Sequence, residues 1–364
     1  MKRAIIKGVS GAAVLGLLLS GCGFGNNEAG QEMDSPQIDY IDEGTELEME
    51  AGNEVEGTSE EEGSESEEGS AEISEETVDR EIYLLDEDGM VVPQTLSLPK
   101  EEGALRQALE YLVIDGPVTQ MIPNGFQAVL PPGTEIDVHL TEDGTAVADF
   151  SPEFEEYPAD KELSILQSIT WTLTQFENVE EVQIRINGYD QEVMPVNETP
   201  IGDGLSRSNG INLETGNASD LTQSESVSVY FLSQKGEEVY YVPVTRRVDR
   251  EKDQMESVVE ELLEGPEHKS SLLSDFRNGV ELTEEPTVED GVVSLTFNDQ
   301  ILSELEGTAI SNHVLNTLAL SFTELEGIEE VAVSVDGTDE VLTTSGEVLA
   351  EPVSRPAQVN TGEF

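Results

Sequence analysis

One long internal duplication constrains this chain more than any other feature. Ile82-Tyr83-Leu84-Leu85 returns as Val229-Tyr230-Phe231-Leu232, 147 residues later, and each copy runs through a polar turn to a second strand ending near Pro93 or Pro243. Ala108 to Pro117 corresponds to Val258 to Pro266. The turn Glu142-Asp143-Gly144 and its strand to Phe150 return as Glu289-Asp290-Gly291 and a strand to Phe297, again at 147. Val179-Glu180-Glu181-Val182 returns as Ile328-Glu329-Glu330-Val331, at 149. Four blocks in one order at nearly one spacing mean two whole domains rather than a solenoid.

Periodicity gives the elements of each copy. Leu105, Ala108, Leu109, Leu112 and Val113 fall on one helical face, as do Met255, Val258, Val259, Leu262 and Leu263, and Gly-Pro closes both helices. Strands Ile136 to Leu140 with Ala146 to Phe150, and Val280 to Thr283 with Val292 to Phe297, flank the Glu-Asp-Gly turns. Helical spacing marks 160–177 and 309–325, and each leads into the strand that opens on the paired glutamates. The order β-β-α-β-β-α-β predicts an α+β class, with two tandem homologous domains, each a small mixed sheet with two helices on one face. The expected boundaries are 80–200 and 225–345, with a linker at 201–224 and a disordered tail at 346–364. Each domain encodes its own apolar faces and is expected to fold alone.

The start of the chain fixes the compartment. Lys2, Arg3 and Lys7 precede an apolar run from Ala12 to Leu19, which reads as a secretory signal over residues 1–21 and is too short to span a bilayer. Leu19-Ser20-Gly21-Cys22 resembles the bacterial lipobox, which implies lipidation on the sulfur of Cys22 and membrane attachment through its acyl chains. Cys22 is the single cysteine, so no disulfide framework and no catalytic thiol competes for it. The formal charge is −61, and cleavage after Gly21 removes three cations to leave about −64. A polyanion without a basic stripe excludes nucleic acid as a partner. From Glu28 to Asp79 stand 21 acidic residues and no Lys or Arg, so 22–79 reads as a disordered acidic tether.

Catalytic constellations are sparse. His139, His268 and His313 lie in different elements without partners at metal-ligand spacing, and His139 is expected to face outward. Asp86-Glu87-Asp88-Gly89 has a faint calcium-loop look, but it lacks the downstream glutamate and reads as a hairpin turn. Glu180-Glu181 and Glu329-Glu330 raise the paired carboxylates of a glycosidase. Adjacent strand residues point to opposite faces, so a solvated strand entry is the simpler reading. Trp171 falls on an apolar helix and is expected in the core. No catalytic, metal or cofactor site follows from these residues.

The lipobox, the acidic tether and two copies of a unit with a Glu-Gly-Pro-like helix end, a Glu-Asp-Gly hairpin and a Val-Glu-Glu-Val strand resemble lipoproteins with two GerMN (sporulation and spore germination) domains. The resemblance covers residues 1 to about 342 and departs only at Asp115-Gly116-Pro117 against Glu264-Gly265-Pro266. It implies a non-enzymatic protein of endospore formation and germination, helping to assemble or localise the complex between mother cell and forespore. The implied location is the outer face of the cytoplasmic membrane, between the mother-cell and forespore membranes during sporulation. The implied partners are protein components of that assembly. Kinship to ring-building modules leaves self-association into a homo-oligomer or ring open. The rival reading is a module that binds or hydrolyses peptidoglycan.

Overall fold

The structure is a computed structural model, and it describes residues 76–361 apart from 215, 217–220, 237, 303–308 and 339–340. The first repeat comprises β1 (Thr77–Leu85), β2 (Val91–Pro99), α1 (Ala104–Glu110), β3 (Ile136–Leu140), β4 (Thr145–Phe150), α2 (Glu162–Leu173), β5 (Glu181–Ile186) and β6 (Tyr189–Asp190). The second comprises β7 (Ser224–Lys235), β8 (Glu238–Asp249), α3 (Gln254–Glu264), β9 (Thr287–Glu289), β10 (Val292–Phe297), β11 (Ala309–Ile310), α4 (Asn312–Phe322), β12 (Glu330–Val335), β13 (Leu342–Thr343) and β14 (Val353–Ser354). The anticipated α+β order holds in both copies. Each has a four-stranded mixed sheet, β3-β4-β5-β6 and β14-β12-β10-β9, whose central pair is parallel, and a separate antiparallel ribbon, β1-β2 or β7-β8. Among the described residues no helix is long and apolar enough to cross a membrane.

The repeated blocks carry the frame. Gly144 and Gly291 turn the central hairpins at φ +83° and +81°, a region that a Cβ disfavours. Their carbonyls then accept the N–H groups of the paired glutamates, 2.9 and 3.4 Å from Glu180 and Glu181, and 2.8 and 3.2 Å from Glu329 and Glu330. The Glu-Glu pairs therefore fasten the entry of β5 and β12 to the hairpin beside it. Tyr83, Phe150, Phe154, Ile165 and Trp171 fill the first core, and Phe231, Phe297, Leu318 and Phe322 the second. At about 1.5–3 kcal/mol for each large side chain buried, these faces dominate stability. Val92 of β2 belongs to the second core, so the cores meet at a shared seam.

Several boundaries differ from expectation, each for a local reason. The strands do not stop at Pro93 and Pro243 but run on to Pro99 and Asp249. Both prolines sit on outer edges, where a missing N–H costs no ladder bond. In the second copy the strand expected at 280–283 is reduced to a bridge from Leu282 to Phe297, and β9 forms instead at 287–289. Between the pairs Leu282↔Phe297 and Val288↔Val293 one side holds two extra residues. Glu284, Glu285 and Pro286 lie in that stretch, and like charges beside a residue without an N–H favour a bulge over a ladder. Ala309–Ile310 is a short strand rather than helix, because the Ser311 hydroxyl accepts the His313 N–H and starts α4 there. The hairpin β1-β2 is a ribbon of its own, not part of the mixed sheet.

The largest corrections concern the linker and the tail. Leu205 bridges to Val182, and Ile211 is fully buried, so the first repeat continues past 200 to residue 212. Likewise 346–361 is ordered: β14 pairs with β12, and Val359 is 1 % exposed. The tether boundary also moves, since β1 begins at Thr77. The remainder of the predicted tether, the signal segment and Cys22 lie outside the described residues.

Candidate interaction surface at the junction of the repeats

Residues 205–212 and 353–360 are equivalent segments of the repeat, and each straps its own unit to the other. Their key residues are Arg207, Ile211 and Asn212 in one, Arg355, Val359 and Asn360 in the other, 148 apart throughout. Asn212 and Asn360 both adopt positive φ, 45° and 54°, which asparagine tolerates better than most residues. The facing strand edges explain why asparagine stands there. Tyr83 pairs with Pro93 and Tyr230 with Pro243, with the prolines on the outer edges, while the tyrosine N–H groups turn outward to Thr172 and Ser321. Without proline N–H groups, β2 and β8 cannot complete a ladder with each other.

The asparagine amides take the place of that ladder. Asn212 Oδ1 accepts the Val91 N–H at 2.8 Å, and its Nδ2 donates to the carbonyls of Val91 and Pro243 at 2.7 and 2.8 Å. Asn360 mirrors it: Oδ1 accepts the Tyr241 N–H at 2.8 Å, and Nδ2 donates to the carbonyls of Tyr241 and Pro93 at 2.8 Å each. The preceding residues add a second pair of bonds. Thr245 N–H donates to the Ile211 carbonyl at 2.8 Å, and Thr95 N–H to that of Val359 at 2.9 Å. The threonine hydroxyls accept the strap N–H groups in return, at 2.9 and 2.8 Å.

Beside the straps lies the strongest concentration of perturbed ionisable groups in the described chain. Arg207 and Arg355 converge on Glu324, at 2.5 and 3.1 Å, and Arg355 also pairs with Glu81 at 3.2 Å. Two guanidiniums thus face two carboxylates. Arg207 stacks 4.4 Å over the Trp171 ring, and Tyr230 donates to Glu324 at 2.9 Å. Burial opposes the Glu324 charge, but the two arginines and their hydrogen bonds outweigh it and hold the carboxyl below its usual range. Burial pushes the Tyr83 and Tyr230 hydroxyls up. Glu324 is thus held ionised and the two tyrosines protonated, so the chemistry of the cluster is that of a permanent lock. A cleft of about 800 Å³ opens beside it, walled by Glu81, Arg207, Glu324 and Arg355.

A second contact joins the repeats at the β1-β2 turn. The buried Asp86 carboxylate accepts the Asp88 and Met90 N–H groups and the Tyr240 hydroxyl, at 3.0, 2.8 and 3.0 Å. Burial raises the Asp86 pKa and pushes Tyr240 up to about 12. Lys235 reaches Glu87 at 2.6 Å. The Asp-Glu-Asp-Gly segment is therefore a hairpin turn, with its carboxylates spent on the neighbouring repeat.

The residues weighed from sequence fall where a structural role puts them. His139 is exposed on β3, and His313 Nδ1 meets the Tyr241 hydroxyl at 3.0 Å. Trp171 is 1 % exposed, in the core. Glu180 and Glu329 are exposed at the strand entries. Among the described residues no group of three or more His, Cys, Asp or Glu is arranged to hold a metal ion. The lock residues were missed because the repeat fades into short polar segments after 200 and 349. The recurring Arg-x-x-x-Ile/Val-Asn pattern was the available signal.

Fold and junction together define a tandem pair of α+β repeats closed on itself, and the chain belongs to the sporulation and spore germination family, Germane, whose model matches residues 81–192 and 228–341. It is similar to the spore germination protein GerM of Bacillus subtilis strain 168, at 45 % identity over 366 residues, covering 97 % of this chain and 99 % of that protein. Among solved structures it is similar to the tandem GerMN domains of the sporulation protein GerM from Bacillus subtilis. The TM-score is 0.74 at 49 % identity, covering 79 % of this chain and 100 % of that one.

Proposed function

We propose that this chain is a lipid-anchored, non-enzymatic scaffold of endospore formation and germination, held at the outer face of the cytoplasmic membrane by Cys22. Its role is to help assemble or localise protein components of the complex between mother cell and forespore. One observation carries the reading. What the two copies share is apolar core, turn glycines and junction residues, while the strongest cluster of perturbed ionisable groups is consumed in holding the copies together. A fold whose repeated polar residues are spent on its own turns and junction suits docking rather than turnover.

The junction consumes the outer edges of β2 and β8, so partner contacts fall to the remaining edges, β3 and β6 in the first repeat and β9 and β14 in the second. Tyr189 on β6 is 72 % exposed. Replacing Asp137 and His139 on β3 with Lys, and Tyr189 with Glu, is expected to abolish partner localisation and spore formation in sporulating cells. Glu180→Gln with Glu181→Gln is expected to leave both intact. Cys22→Ala should release the protein or leave it as precursor, with labelled fatty acid incorporated only into the wild type. The wall-directed alternative takes over if the Gln variants block germination while partners still localise and the purified protein binds or cleaves peptidoglycan.

A further inference from the structure

We propose that the seat of the second strap is a peptide-binding site, selective for a segment of the form Arg-x-x-x-Ile/Val-Asn, and that residues 355–360 occlude it in the resting molecule. The inference does not depend on the scaffold reading. It rests on a recognition event seen twice. Arg207-Ser208-Asn209-Gly210-Ile211-Asn212 and Arg355-Pro356-Ala357-Gln358-Val359-Asn360 share only the arginine, the β-branched aliphatic residue and the asparagine. Both nevertheless make the same amide bridge and the same reciprocal pair with a threonine, and their arginines donate to the hydroxyls of equivalent threonines, Thr174 and Thr323. Those three side chains therefore specify the docking, and the residues between them do not.

Each position has a chemical reason. At the last position the amide must supply one acceptor and two donor contacts at positive φ. Aspartate lacks the donors and glutamine places the amide too far out. Val359 enters a small pocket of Tyr230 and Leu320 and is 1 % exposed. Arg355 spans Glu81 and Glu324, and Gln358 adds a 2.9 Å bond to Asp79. The groups left open by departure of the strap are the Thr95 N–H and hydroxyl, the Pro93 and Tyr241 carbonyls and the Tyr241 N–H, while Glu81 loses its arginine and Glu324 keeps only Arg207 and Tyr230. These groups come from both repeats and form one composite edge, met by the strap through side chains and one main-chain bond.

The partner that fits is thus a segment with that triad, and its apparent affinity is reduced by the fraction of time the resident strap is seated. The test uses the purified full chain and a fluorescent peptide of residues 351–361, read by anisotropy. Asn360→Ala in the chain should loosen the resident strap and raise affinity for the peptide at least about tenfold over wild type. A peptide carrying the same Asn360→Ala change should bind that variant at least about tenfold more weakly than the unaltered peptide. Arg355→Ala in the chain is the second variant, expected to gain affinity in the same direction, and far-UV circular dichroism checks that each variant is folded. The proposal is overturned if neither folded variant gains affinity, or if the asparagine-free peptide binds as well as the parent.

Discussion

The two repeats answer the same structural demands with different polar residues. At the junction, Gln175 and Glu324 occupy equivalent places. Gln175 accepts the Glu81 N–H at 2.9 Å and donates to the Glu81 carbonyl, whereas Glu324 takes both arginines. At the start of the second long helix, Glu162 and Ser311 are equivalents. Ser311 caps α4 simply, while the fully buried Glu162 accepts the Tyr157 hydroxyl and the N–H groups of Val196, Asn197 and Thr199. On the ribbons, Asp79 accepts from Ser97, and at the matching places Ser226 accepts from Arg247. Apolar faces, edge prolines and strap asparagines keep their chemistry while the polar layer between them differs. The difference teaches that the junction geometry depends on edge and strap, and the charges settle around it.

The equivalent pairs are the natural places to strain that view. Glu324→Ala leaves two half-buried guanidiniums without their shared partner, with Arg355 keeping Glu81, and should cost roughly 2–4 kcal/mol in urea unfolding. Gln175→Ala removes a neutral pair of bonds at the same place and should cost about 1–2 kcal/mol. Equal losses would mean that the charges do not carry the lock. Glu162→Ala should cost about 2–3 kcal/mol, since three N–H groups lose their acceptor, against about 1 kcal/mol for Ser311→Ala.

Acid should show the same asymmetry. Burial works against the Glu162 charge, but its hydrogen bonds outweigh it and hold the carboxyl below the usual range, as the arginines do for Glu324. A lowered folded-state pKa gives stability that is fully present above the unfolded value, about 4.3, and lost as pH falls through the folded one. Unfolding free energy measured between pH 7 and pH 3 should therefore fall less in Glu162→Ala than in the wild type. Asn212→Ala and Asn360→Ala should be matched in effect, each about 1–2 kcal/mol, because their bonds are the same in number and kind. The smallest effect belongs to the strand-entry pairs, in which Glu180 and Glu329 are exposed and Glu181 and Glu330 half-buried. Glu180→Gln with Glu181→Gln, and Glu329→Gln with Glu330→Gln, should stay within about 0.5 kcal/mol of wild type by thermal unfolding.

Most of the frame was legible in the sequence because burial writes periodic patterns. The spacing of Ile165, Ile169 and Leu173, the Glu-Asp-Gly hairpins and the 147-residue repeat located the helices, the central strands and the duplication. What escaped has a common physical cause. Asn212, Asn360 and the Arg207–Glu324–Arg355 lock act through single side chains meeting backbone groups far away in sequence, and such contacts leave no local periodicity. The glycine- and serine-containing 201–224 looks like a linker for the same reason that 346–364 looks like a tail. Each has little apolar surface of its own, and the apolar residues it buries, Ile201, Leu205 and Ile211 in one and Val359 in the other, are scattered among polar neighbours. Pro93 and Pro243 were visible, but read as strand ends rather than as edge residues inside longer strands.

The central claim is that the straps make the two repeats one cooperative body. Trp171 is the single tryptophan, buried in the first repeat, so its fluorescence follows that repeat while far-UV circular dichroism follows both. Urea unfolding of the wild-type chain should give superimposable transitions by the two probes, and Arg207→Ala combined with Arg355→Ala should pull them apart. Separate transitions in the wild type, unchanged by the double substitution, would contradict the account and return the chain to two independent domains on a linker.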